Sequence, residues 1–230
     1  LEEAFDEFAR KTGRRYGFVE PYRCEDAEYI LVGMGCYMET AKDVVDYLRE
    51  KKGIAAGCLT VCVFRPFPAR HIVEALKNCT AFTVLERMDD PLSTTGNHLT
   101  REIKAAFCDA MTGQNGQEKI DRIPRIYHGS AGLGSRDVRP GDLIAAFHNM
   151  MIDGQDYFCV GIDHPLALKV TEDPDLRPSG AFSMRGHSVG GFGSVTTNKV
   201  IATIAGNVFG KDVQAYPKYG SEKKGLPTTY

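Results

Sequence analysis

Hydrophobic positions along the chain follow two alternating periods, one helical and one extended. Leu1, Ala4, Phe5 and Phe8 recur at helical spacing and Gly13 ends the pattern, which predicts a helix over residues 1–12. A loop through Pro21 follows. Tyr29 to Met34 is a continuous apolar run, the pattern of a strand covered on both faces. Thr40 to Lys52 places Val44, Val45 and Leu48 on one stripe with charges opposite, and Gly53 stands where a helix cap belongs. The same reading gives strands at 59–64 and 80–85 and helices at 69–78 and 97–111, the last with Leu99, Ile103, Phe107 and Met111 in register. A fourth strand is expected at Arg125 to His128 and a fourth helix at Leu143 to Met151, introduced by Arg139-Pro140-Gly141-Asp142.

Strands alternating with helices at this spacing predict an α/β fold, a doubly wound and mostly parallel sheet closing near residue 165. Residues 172–180 then change character: two prolines, a glycine and several acids read as a linker. Beyond it, 181–185 reads as a strand, Gly186 to Gly193 as a glycine-rich turn, 194–208 as a helix and 212–216 as a strand. That unit of about 50 residues is too small to build a core alone. A first residue that is not Met, and a last residue just after Gly225-Leu226-Pro227, suggest a piece of something longer.

Composition narrows the function classes. Lys plus Arg is 28 against 30 Asp plus Glu, a net charge of −2 that offers no basic footprint for nucleic acid and no polybasic membrane arm. The longest uncharged apolar stretch is too short to span a membrane and no signal peptide is present, so the expected compartment is cytoplasmic. Seven cysteines, odd in number and scattered, fit buried reduced thiols better than a disulfide framework. Cys58 and Cys62, the nearest pair, would lie on one face if both sat on a strand.

Three glycine clusters carry the candidate chemistry. Gly33-Met34-Gly35 follows a strand and precedes a helix, but Met38 stands where a dinucleotide fingerprint has its third glycine. Residues 54–66 also hold no acid for a ribose, so a tight turn is the better reading. Gly129 to Gly134, before Ser135-Arg136-Asp137, lies at a strand's carboxyl end, where open α/β sheets bind ligands; it reads either as such a site or as a connection to the next helix. The third cluster, Gly186, Gly190, Gly191 and Gly193 ahead of Asn198-Lys199, offers backbone amides at a helix N-terminus, suited either to a phosphate or to a tight turn. No Gly-x-Ser-x-Gly elbow, no HExxH and no His pair at metal spacing occur.

Several segments together resemble pyruvate:ferredoxin (flavodoxin) oxidoreductase, within the 2-oxoacid:acceptor oxidoreductases. They are Asp26 to Gly35, Val44 to Leu48, Phe64-Arg65-Pro66-Phe67-Pro68, Val84-Leu85-Glu86-Arg87 and Gly132 to Asp137. Beyond the linker, Asn198-Lys199 and Val213 to Gly225 look like the gamma unit of that family. The resemblance implies four parts. Residues 1–12 would be the last helix of a preceding thiamine-binding pyrimidine domain, 13–165 a transketolase-C-terminal-like domain, 166–180 a linker, and 181–230 the opening of the coenzyme A-associated gamma domain. The family enzyme oxidatively decarboxylates pyruvate or a related 2-oxoacid to acyl-CoA. It uses thiamine diphosphate, Mg2+ and [4Fe–4S] clusters and passes electrons to ferredoxin or flavodoxin. By that resemblance Gly190, Gly191, Gly193, Asn198 and Lys199 would line the coenzyme A channel, with Lys223 and Lys224 as phosphate partners. No catalytic or metal-ligating residue is assigned to this segment, which is expected to be inactive alone and to belong to a dimeric parent. Where many gamma units carry Gly-x-Gly-Gly-x-Gly, here His187-Ser188-Val189 separate Gly186 from Gly190. Two other readings stand beside this one: a structural or subunit-docking module without ligand, and a free-standing nucleotide-dependent dehydrogenase, which the missing fingerprint disfavours.

Overall fold

The computed structural model describes residues 1–184, 186–189, 193–216 and 227–229. The chain divides into two compact units, Leu1–Leu176 and Arg177–Tyr230.

The first unit opens with α1 (Glu2–Thr12), capped by Gly13 at φ 74°. None of its residues is buried; Phe5 meets Phe18 edge-on at 5.6 Å and Phe8 meets Tyr16 at the same distance. The sheet contains β1 (Val19–Tyr22), β2 (Tyr29–Gly33), β3 (Ala56–Val61), β4 (Ala81–Glu86), β5 (Arg125–Ser130) and β6 (Tyr157–Cys159), in the order β1-β3-β2-β4-β5-β6. All neighbours are parallel except β1, which runs antiparallel along β3. Between them lie α2 (Tyr37–Lys52), α3 (Ala69–Leu76), α4 (His98–Thr112) and α5 (Pro140–Met151).

Strand alternation sorts the side chains onto two faces. Leu31, Cys58, Tyr127 and Phe158 face α2 and α5, meeting Met38, Val44, Leu48 and Phe147. Ile30, Val32, Leu59, Phe82 and Val84 face α3 and α4, meeting Ile72, Leu76, Ile103 and Phe107. These side chains are fully or almost fully buried, and each large one contributes about 1.5–3 kcal/mol relative to exposure. The expected α/β doubly wound, mostly parallel sheet is what the chain forms.

The differences from expectation sit at the edges. β1 falls where a loop was expected; an edge strand tolerates Pro21 because the missing N–H faces no partner strand. β6 is three residues long and carried no readable pattern. β3 starts three residues earlier than expected and includes Gly57, where a Cβ would come within 2.7 Å of the Arg23 carbonyl oxygen; only glycine lets the two backbones approach. Cys62 lies beyond β3 and is exposed, as are Cys36 and Cys108, contrary to the buried thiols expected; Cys58, Cys79 and Cys159 are buried, Cys24 is half-buried, and all seven cysteines are free.

After β6 the chain is tied back onto this unit. Glu172 Oε2 accepts from Tyr47 Oη and Lys52 Nζ, both at 2.9 Å, and Asp173 Oδ1 accepts from Gly141 N at 2.7 Å.

In the second unit, β7 (His187–Val189) pairs antiparallel with β8 (Pro227–Thr229), and α6 (Ser194–Asn207) follows β7. The strand expected at 181–185 is irregular backbone over 181–184, and residue 185 lies outside the described residues. Part of the expected glycine-rich turn is instead β7. Residues 212–216 carry no strand.

Candidate functional site

The parallel strands run β3-β2-β4-β5-β6, so the winding direction reverses between β2 and β4. Open α/β sheets bind ligands at the carboxyl ends flanking that point. Here the Gly33-Met34-Gly35 turn closes the space itself. Gly35 has φ 98°, and the buried Tyr37 phenol sits over Gly33, donating to Leu85 O and accepting from Met34 N at 3.2 Å. A Cβ on Gly33 would lie 2.1 Å from Tyr37 Oη. The place a pyrophosphate would take is therefore filled, and the turn is structural.

Past this plug, Arg87 follows β4 with Nη1 3.9 Å from the thiol of exposed Cys36, which precedes α2. Gly132, at φ 62°, packs against the same guanidinium: a Cβ there would stand 2.7 Å from Arg87 Nε. Sequence reasoning singled out neither Arg87 nor Cys36 as a pair, because 51 positions separate them. The neighbouring Glu86 has a structural task. Its buried carboxylate accepts from Leu99 N at 2.7 Å, Thr100 N at 3.1 Å and Thr100 Oγ1 at 2.7 Å, capping α4 from another strand.

The second glycine cluster turns through Gly132, Gly134 and Ser135, all left-handed, around a short 3-10 turn at Leu133–Ser135. The helix it leads to is not open to an anion. Asp142 accepts from Arg139 N at 2.9 Å, and the Gly141 amide at the start of α5 already donates to Asp173.

The third cluster differs. Gly193, at φ 80°, precedes α6, and no side chain of the described residues caps that helix. Asn198 is buried; its Nδ2 donates to Ser194 O at 2.9 Å, and Gly186 lies so close that a Cβ would come within 2.6 Å of the same nitrogen. Lys199 is exposed beside it. Ser188 Oγ bonds Ser194 Oγ across the turn. The structure thus places Gly193 at the start of α6 and Asn198 and Lys199 in its second turn, while Gly190, Gly191, Lys223 and Lys224 lie outside the described residues.

Among the described residues no group of three or more His, Cys, Asp or Glu side chains is placed to hold a metal ion. Burial pushes the Cys58 and Cys79 thiols up to about 12 and Cys24 to about 11. These thiols pack into the core rather than converge as ligands. No helix of the described residues is long and apolar enough to cross a membrane.

Comparison with known proteins fits this arrangement. The family model "Pyruvate:ferredoxin oxidoreductase core domain II" matches residues 27–143, about half the chain. A second model, "Pyruvate ferredoxin/flavodoxin oxidoreductase", matches 183–230. The pyruvate synthase subunit PorA of Methanothermobacter thermautotrophicus is 40% identical over 143 residues, 62% of this chain and 33% of that relative. The pyruvate-flavodoxin oxidoreductase of Enterobacter agglomerans is 30% identical over 231 residues, 98% of this chain and 19% of the relative. The pyruvate:ferredoxin oxidoreductase of Moorella thermoacetica is 29% identical with the same two coverages. The chain therefore spans between about a fifth and a third of these relatives' lengths.

Proposed function

The chain belongs to the pyruvate:ferredoxin oxidoreductase family, and from that premise we propose that it is part of an enzyme that oxidatively decarboxylates pyruvate or a related 2-oxoacid to acyl-CoA, with ferredoxin or flavodoxin as electron acceptor. The observation that carries this reading is the match of two family models, in order, on one chain. That order also supports a fused parent in which 13–165 is the transketolase-C-terminal-like domain. Residues 1–12 then close a preceding pyrimidine domain, 166–180 link, and 181–230 open the gamma domain. The parent is read as cytoplasmic and dimeric.

Thiamine diphosphate with Mg2+ supplies the decarboxylation chemistry in such an enzyme, and [4Fe–4S] clusters carry the electrons. The described residues do not fit a [4Fe–4S] cluster. The cysteines are dispersed and no ligand set of three converges, so no step through such a cluster is placed on this chain.

What this chain contributes in our reading is coenzyme A binding at the third glycine cluster. Two of the three glycine turns are already filled, one by Tyr37 and the other, at its helix, by Asp173. At the turn before α6 no side chain among the described residues caps the helix, and the amides and dipole of such a helix start favour a phosphate. Gly190, Gly191 and Gly193 let the backbone approach the ligand, Lys199, Lys223 and Lys224 meet its phosphates, and Asn198, locked against Gly186 and Ser194, holds the turn in shape. The test is steady-state kinetics of the parent enzyme with Lys199, Lys223 and Lys224 each changed to Ala. The KM for coenzyme A should rise about tenfold or more per lost charged contact, with kcat retained at saturation. Unchanged KM in all three variants would remove the site and leave this segment a docking module.

A further inference from the structure

Beyond α4 on the α3–α4 face of the sheet, a cleft of about 790 Å3 opens over β5 and β6. That volume lies within the roughly 300–1,000 Å3 range of small-molecule sites. Its floor is Ile126, His128 and Tyr157, the two rings 5.2 Å apart. One wall is Lys104 of α4; the other is the loop from Asp89 to Asn97.

That loop is built rather than loose. Asn97 accepts from Asp90 N at 2.8 Å and donates to Met88 O at 2.9 Å and to Ser130 Oγ at 3.2 Å, and Ser93 Oγ donates to Gly96 O at 2.7 Å. Gly96 has φ 110°, and a Cβ on it would come within 3.4 Å of His128 Nδ1 and within 2.5 Å of the Thr100 methyl, so the wall requires glycine there.

The charges of the cleft sort into pairs and a remainder. Asp156 is held by Arg125 at 2.6 Å and Asp90 by Arg101 at 3.1 Å. Asp89 has no cation within ion-pair distance among the described residues; it accepts only hydroxyl bonds, from Tyr157 Oη and from Ser130 Oγ at 3.2 Å. Lys104 likewise has no carboxylate within ion-pair distance among the described residues, and its Nζ donates to the Thr95 carbonyl at 2.7 Å. One anion and one cation are thus left facing the same cavity. His128 Nδ1 is sealed beneath the cleft floor against Gly96 and has no hydrogen-bond partner among the described residues, so the ring offers the cleft its face.

We propose that this cleft binds a small zwitterion, whose carboxylate meets Lys104, whose ammonium meets Asp89, and whose apolar part lies over Ile126 and the His128–Tyr157 ring pair. A plain anion is opposed by Asp89 and a plain cation by Lys104; a molecule carrying both charges satisfies both.

The experiment is an NMR titration of the isotopically labelled 230-residue chain with phenylalanine as the probe, alongside phenylpropionate, which lacks the ammonium, and phenethylamine, which lacks the carboxylate. Saturable shifts confined to β5, β6 and the 89–97 loop are expected with phenylalanine, and about tenfold weaker binding of either analogue. Lys104→Gln and Asp89→Asn should each weaken phenylalanine by a similar factor while the amide spectrum of β2 and β4 stays native. Absence of saturable binding overturns the proposal. So does equal affinity for either analogue, which would make the cleft a site for one charge or for apolar groups only. Should a variant fail to fold, the analogue series on the unaltered chain decides alone.

Discussion

Substituting Gly33 by alanine tests whether the first glycine turn is a packed plug. The new methyl group would sit 2.1 Å from Tyr37 Oη, 2.8 Å from Tyr37 Cζ and 2.8 Å from Met38 Sδ, all closer than real contacts allow. Tyr37 is 4% exposed and has nowhere to go, so the phenol must leave its two partners, Leu85 O and Met34 N. Overpacking costs about 1–3 kcal/mol and each lost hydrogen bond about 1 kcal/mol, so Gly33→Ala should destabilise the chain by about 3–5 kcal/mol. For a unit of this size that lowers Tm by roughly 6–20 °C. The assay is urea denaturation of Gly33→Ala, Tyr37→Phe and the double variant. Because Tyr37→Phe removes the closest clashing atom, the double variant should be more stable than the sum of the singles by about 1 kcal/mol or more. A single-variant loss below about 1 kcal/mol, or strict additivity, would refute the plug and reopen the turn as a ligand cradle.

Three further outcomes follow from the same geometry. Glu86→Ala leaves the amides of Leu99 and Thr100 without their acceptor inside the protein and should cost about 2–4 kcal/mol in urea denaturation, with Glu86→Gln milder; a loss under about 0.5 kcal/mol would show that the cap is dispensable. Thiol labelling of the native chain should modify Cys36 and Cys108 quickly and leave Cys58 and Cys79 until the chain unfolds. Because burial raises those two from about 9 to about 12, stability is whole below pH 9 and is lost as pH rises from 9 through 12; rapid native labelling of Cys58 would contradict this. His128 is pushed down to about 4, first by burial and then by Lys104, so its ring signals should titrate near 4; its contribution to stability is whole above pH 6.5 and is lost as pH falls from 6.5 through 4, and a midpoint near 6.5 would show the ring to be solvated.

The central part of this fold was legible because burial writes itself into the sequence there. β2 and β4 lie inside the sheet with helices on both faces, so they read as unbroken apolar runs, and α2 and α4 keep their 3.6-residue stripe up to glycine caps at Gly53 and Gly113. Edges leave weaker marks. β1 carries Pro21, which argues against an interior strand, and β6 has only Tyr157, Phe158 and Cys159 to show. In the second unit, β7 lies within glycine-rich sequence whose pairing depends on Pro227–Thr229, some 40 residues on, which no local pattern could reveal.

Site residues divide the same way. The glycine clusters were visible as strand-to-helix turns, but which of them is blocked depends on Tyr37 reaching back over Gly33 and on Asp173 returning to α5 from 32 residues away. Lys104, His128 and Asp89 come from a helix, a strand and a loop, so the charge remainder in the cleft appears only once the ion pairs beside it have been formed.

The role proposed for this chain is in a coenzyme A-dependent 2-oxoacid oxidoreductase. The most direct measurement is reduction of ferredoxin or flavodoxin by the purified parent enzyme, with pyruvate and coenzyme A each omitted in turn. Acceptor reduction and acyl-CoA formation are expected only when both are present, with Lys199→Ala requiring more coenzyme A for half-maximal rate. Acceptor reduction without acyl-CoA formation at any coenzyme A concentration, or none with pyruvate or any related 2-oxoacid, would contradict it.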